Sequence, residues 1–126
     1  MRFIHVIATA GLVALVGCAS GRGQVRLAED QARLGVAASQ QGFWQEAHFR
    51  FDRARALRSN DAEILNNLAV SLEALGRYDE ALTIYKQALQ IAPKDVYIRR
   101  NYSRFAEFFS SYARGVKPKG GSNAPR

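Results

Sequence analysis

The sequence predicts an all-α protein, a short solenoid of helix-turn-helix repeats with a terminal capping helix. Three observations lead there. The chain aligns on itself when slid by 34 residues, setting 28–61 against 62–95. Within each block apolar residues recur three and four apart, the period of one helix face. Glycine or proline stands where each run has to stop. A period of this length marks stacked units that bury a shared core, and 126 residues accommodate one such domain.

The formal charge is +7, from 18 Lys and Arg against 11 Asp and Glu. A basic chain raises nucleic acid as a partner. Here the cations are scattered over amphipathic segments and a tail with no recognisable nucleic-acid motif, so a solvated basic surface is expected and nucleic acid is not. A single cysteine, Cys18, excludes an intramolecular disulfide and any cysteine-rich metal site.

Residues 1–17 read as an export signal. Arg2 gives a positive start, and 3–16 is apolar but for His5, Thr9 and Gly11. That is enough for a signal-peptide core and short of the roughly 20 residues of a membrane span. The closing Leu15-Val16-Gly17-Cys18 resembles the bacterial lipobox. The resemblance implies that Cys18 becomes the acylated amino terminus, and several acyl chains together anchor a protein stably. An uncleaved signal anchor or a buried amino-terminal helix are the competing readings. Ala19, in place of the Asp that resembles an inner-membrane retention signal, points to the outer membrane facing the periplasm. Residues 18–27, with Gly21 and Gly23, read as the lipidated cysteine and its tether.

The two blocks, 28–61 and 62–95, pair Leu34 with Leu68, Gly42 with Gly76, Trp44 with Tyr78, Ala47 with Ala81, Phe51 with Tyr85 and Ala54 with Ala88. In the second, Ile64, Leu65, Leu68, Leu72 and Leu75 form a helical stripe that Gly76 terminates. Asp79 and Glu80 sit favourably in the first turn of the next helix, and Pro93 stops that helix. Asn60 with Glu63 reads as a capping box. The four alanines fit where two helices cross, because larger side chains would force them apart, and Trp44, Phe51, Tyr78 and Tyr85 fill the gaps beside them. The run Leu68, Gly76-Arg77-Tyr78-Asp79-Glu80-Ala81, Tyr85, Ala88 and Pro93 closely resembles the tetratricopeptide repeat. The first block departs from that pattern at Ser59, equivalent to Pro93, and at Gln31, where a large apolar residue is usual.

Residues 96–113 start a third repeat and supply its first helix only. Ile98, Tyr102, Phe105, Phe109 and Tyr112 make one stripe, and the opposite face is less polar than a cap usually is. Residues 114–126, with Gly, Pro, Ser and basic side chains, read as a disordered basic tail. The tail is either solvated or in contact with anionic lipid.

Candidate chemistry is sparse. His48 is the one histidine beyond the signal, no Ser/His/Asp or Cys/His set is available, and the carboxylates are isolated. No enzyme, no cofactor and no metal are expected. The repeat resemblance implies a protein-binding groove lined by the first helix of each pair: Glu29, Ala32, Arg33, Val36, Ser39 and Gln40; then Glu63, Asn66, Asn67, Val70 and Glu73; then Tyr97, Arg100, Asn101, Arg104 and Phe108. Asn67, Val70, Tyr97, Arg100, Asn101, Arg104 and Phe108 are the expected contacts. Chaperone-binding members of that family clamp a carboxylate with Lys and Asn. Asn67 matches one clamp position, and Ala32 and Val36 break two others. By resemblance to small pilotin, tight-adherence and type IV pilus lipoproteins, the expected role is a membrane-anchored adaptor for assembling a pilus or secretion machine. An adaptor for peptidoglycan enzymes or outer-membrane assembly, and a lipoprotein self-associating as a homodimer through Phe108 and Tyr112, are the alternatives.

Overall fold

Helix punctuation sets the framework of the molecule. The computed structural model describes residues 14–115, with side chains from Gly21 onward. Five helices follow in order: α1 (Ala14–Gln40), α2 (Trp44–Leu57), α3 (Ala62–Ala74), α4 (Tyr78–Ile91) and α5 (Val96–Ala113). Gly42 and Gly76 both take positive φ, 77° and 74°. Each closes the helix before it in the same way. The Phe43 and Arg77 amides reach back to the Ala38 and Leu72 carbonyls at 2.9 Å, and the glycine amides to Ser39 and Glu73 at 3.0 Å. This pair of bonds satisfies carbonyls that a helix end leaves free, and it requires the left-handed residue that glycine supplies at little cost.

Helices α3 and α5 start on carboxylates. Asp61 accepts from the Glu63 and Ile64 amides at 3.0 and 3.1 Å, and Asp95 accepts from the Ile98 amide at 2.9 Å. The cap of α3 is therefore Asp61, one residue beyond the Asn60 expected from sequence. Both residue types cap well, and only the backbone geometry decides between them.

The helices stack as antiparallel neighbours. Helix α2 packs against α1 and α3, and α4 against α3 and α5, while α1, α3 and α5 lie side by side on one face of the array. The alanines at the crossings, Ala47, Ala54, Ala81 and Ala88, are fully buried, and Phe51 and Tyr85 are buried beside them. Trp44 and Tyr78 pack partly buried against the same cluster. Gly35 makes room for Phe51: a Cβ there would lie 2.6 Å from the ring. Gln31 is buried in place of an apolar residue, and its carbonyl oxygen accepts from Arg50 at 3.2 Å, which meets the requirement that a buried amide be paired.

The structure adds to two of the expectations. Residues 21–27, read as part of a tether, are helical and continue α1 as one 27-residue helix, about 40 Å long at 1.5 Å per residue. All seven are exposed, so this stretch has no buried face to advertise itself by periodicity. A different face of α5, turned away from α4, is polar. Sliding by 34 sets Arg99 and Ser103 against the buried Leu65 and Ala69 of α3, and both are exposed. Where α3 receives α4, α5 presents charge and hydroxyl to solvent. Residues 1–13 of the expected signal peptide, the Cys18 side chain, and the tail from 116 lie outside the described residues.

Candidate functional site

The face built from α1, α3 and α5 carries most of the expected contact residues. Its centre is a row of three amides. Asn101 Nδ2 donates to Asn66 Oδ1 at 3.0 Å, and Asn66 Nδ2 donates to Asn67 Oδ1 at 3.4 Å. Asn66 is buried, and Asn67 and Asn101 are half-buried. The row runs from α5 to α3 and fixes the amide orientations: Asn67 keeps its Nδ2 donors, and Asn101 keeps its Oδ1 acceptor, for another group. Sequence position gave Asn67 and Asn101 as contacts. The bond across 35 residues, which ties them through Asn66, is visible only in the fold.

Around the row the side chains divide by chemistry. Tyr97 is 73% exposed, and Arg100 and Arg104 are exposed on the same helix. Arg104 lies 3.8 Å from Glu73, and Glu73 accepts the Tyr85 hydroxyl at 2.9 Å. Burial first, and then the Glu73 charge, raise the Tyr85 hydroxyl far above the usual phenol range, so it remains a donor. Val70 is half-buried and packs on the core. Between α1 and α3 a cleft of about 440 Å³ brings Ala32, Val36, Glu63 and Asn67 together. Ala32 and Val36 bring no donor to it, and the two cations that also line it, Arg33 and Arg58, are already paired with carboxylates of the chain.

Phe108 stands half-buried at the α4 edge of this face. Its ring meets Tyr78 edge-to-face at 5.1 Å and stacks on Tyr112 at 6.1 Å. Sliding by 34 sets Phe108 against Ala74, the last residue of α3, and the larger side chain at this position reaches Tyr78 at the start of α4. Tyr112, expected to be available to a second copy, packs on Tyr78 at 5.0 Å and keeps half of its surface in solvent.

The opposite side holds a feature that the sequence did not signal. Helices α2 and α4 leave between them a cleft of about 620 Å³, floored by Leu68, Leu72 and Ile84. His48 on α2 bridges it, with Nε2 3.2 Å from Nη1 of Arg77. Arg77 also grips Glu80 with two bonds, 2.8 and 2.7 Å. Desolvation, and then the Arg77 charge, lower the pKa of His48 from its ordinary 6.5. The two residues are 29 apart, and no motif connects them.

No group of three or more His, Cys, Asp or Glu suited to a metal occurs among the described residues, and no described helix is long and apolar enough to cross a membrane. Stacked helix pairs with an amide-lined, aromatic and cationic face define a helical-repeat module for binding other proteins. A family model for the tetratricopeptide repeat matches residues 32–96, and the chain belongs to that family. Among solved structures it is similar to the Arabidopsis OM64 TPR domain, with a TM-score of 0.66 at 20% identity over 77% of this chain and 88% of that one. No curated protein matches.

Proposed function

We propose that the protein is a lipid-tethered adaptor in a bacterial envelope, which holds an extended segment of a partner protein across its α1–α3–α5 face. The amide row of Asn101, Asn66 and Asn67 carries this reading. An extended chain presents a donor and an acceptor at every residue, and the two open ends of the row offer one of each. Arg100 and Arg104 add charge for an acidic side chain, and Tyr97 a flat apolar surface. Aromatic residues and arginine dominate the energetics of protein interfaces.

The tether is Cys18, in its Leu15-Val16-Gly17-Cys18 setting. Helix α1 runs from Ala14 to Gln40, so the anchor and the first residues of the binding face belong to one helix. A lipid at Cys18 would therefore fix the height and tilt of that face above the membrane. Assembly of a pilus or secretion machine fits a small module of this kind, with one anchor and one binding face.

A photo-crosslinking amino acid at Arg100 or Arg104 in the full chain, in a bacterial host, should capture a heterologous protein, and capture should weaken with Asn67→Ala. Adducts formed only from Arg53 on α2 would refute the binding face. Labelling with a palmitate analogue should mark the wild type and not Cys18→Ala, and an unlabelled wild type would refute the anchor.

A further inference from the structure

Helix α1 carries a second face that no described element covers. Gly23, Arg26, Leu27, Asp30 and Leu34 fall on one stripe about 100° wide at 100° per residue. Sliding by 34 sets Asp30 against Ile64 and Leu34 against Leu68. In the second repeat these positions are where α3 meets the preceding repeat: Ile64 packs with Ala28 and Ala54, and Leu68 is 2% exposed. In the first repeat they face outward. Leu34 is 48% exposed and Leu27 nearly as much. Further toward the amino terminus, 21–27 is bare helix on every side.

We propose that this stripe is a homodimer surface, on which two copies pack their α1 helices antiparallel about a two-fold axis near Ala28. The charge order selects the occupant. Arg26 and Asp30 stand at equal distances on either side of Ala28, on the stripe. An antiparallel pair centred there places Arg26 of each copy against Asp30 of the other, so the contact is satisfied twice. Asp30 has an intrachain ion pair with Arg33, and its carboxylate has lone pairs left for a second donor. Cross-helix charge pairs of this type set orientation and register, and an isologous contact needs a patch complementary to itself.

The apolar residues fit the same register. Leu27 approaches its symmetry mate at the axis. Leu34 of each copy lies close to Gly23 of the other, whose missing side chain lets the two helices approach. The extension 21–27 of each copy then rests on the body of the other copy's α1. Helix α2 lies on a different side of α1, against Ala28, Gln31, Gly35 and Ala38, and stays clear of the contact.

Sedimentation of the purified full chain in detergent tests this. The wild type should dimerise reversibly. Arg26→Asp and Asp30→Arg should each raise the dissociation constant at least ~10-fold, because either one sets like charges face to face. The double variant, Arg26→Asp with Asp30→Arg, should return to within about threefold of the wild type, because the exchange restores both pairs. Far-UV circular dichroism confirms that each variant remains folded. A monomeric wild type would overturn the proposal, and so would a dimer indifferent to the single reversals or a double variant that does not recover. A dimer weakened by Tyr112→Ala and untouched by the reversals would place the contact at the α5 end instead, and would equally overturn it.

Discussion

Replacing Gly35 by alanine puts one methyl group where the first repeat has no space for it. The new Cβ would stand 2.6, 2.8 and 2.9 Å from three carbons of the Phe51 ring, against 3.4–4 Å for ordinary contact. The ring edge would have to retreat by roughly 0.8 Å, and Phe51 is buried with α1 in front of it. Overpacking of this kind costs about 1–3 kcal/mol. Exchanging glycine for alanine inside a helix returns about 0.5–1 kcal/mol. The net loss is therefore up to about 2.5 kcal/mol, centred on about 1 kcal/mol, and a domain near 100 residues loses about 4–8 °C in Tm per kcal/mol. Gly21→Ala is the control, since its Cβ would meet nothing within 4 Å and only the helical gain remains. Thermal melts followed at 222 nm should place Gly35→Ala several degrees below the wild type and Gly21→Ala at or above it. Phe51→Leu should soften the penalty when combined with Gly35→Ala, as expected for residues in contact. If Gly35→Ala melts as high as Gly21→Ala, the close approach of α1 and α2 is misjudged.

Two further outcomes follow from the capping and charge geometry. Asp61→Ala removes the acceptor of two amides and should cost about 1 kcal/mol by chemical denaturation, whereas Asn60→Ala should cost little; the reverse order would restore Asn60 as the cap. The lowered pKa of His48 means that the unfolded chain takes up a proton before the folded one does. Stability should therefore be complete at pH values above the ordinary histidine value of 6.5 and decline as the pH falls below it, as protonation sets an imidazolium beside Arg77. The neutral acceptor in His48→Gln should flatten the Tm between about pH 7 and about pH 5; an unchanged slope would remove His48 from the account.

What was legible in the sequence was whatever repeats or punctuates. Gly42 and Gly76 marked two helix ends because only their backbone freedom suits the positive φ found there. The alanine pairs at 34-residue spacing marked the helix crossings. The extension at 21–27 was missed because a helix with no buried face has no apolar period. Gln31 broke the pattern because its partner, Arg50, lies on another helix. Spacing along α5 places Phe108 on the binding face, and spacing does not register that its ring also packs on Tyr78 of α4. The amide row and the His48–Arg77 bridge join residues 29 and 35 apart, contacts that the stacking of repeats creates and no local signal announces.

The hydroxyl and guanidinium that α5 presents at Ser103 and Arg99 make the carboxyl end of the array a stopper. A helix docked there would have to pair or solvate the Arg99 charge, which disfavours growth of the stack in that direction. The joint between α4 and α5 has no such block, and residues 62–95 form a unit whose two ends match by construction. A second copy of that unit placed after Asp95 would meet α4 on one side and α5 on the other, through surfaces the protein already uses. The binding face would lengthen by one helix, and the stopper would still close the end. Reach is thus an adjustable dimension of this scaffold, set by how many identical units precede a single terminating helix.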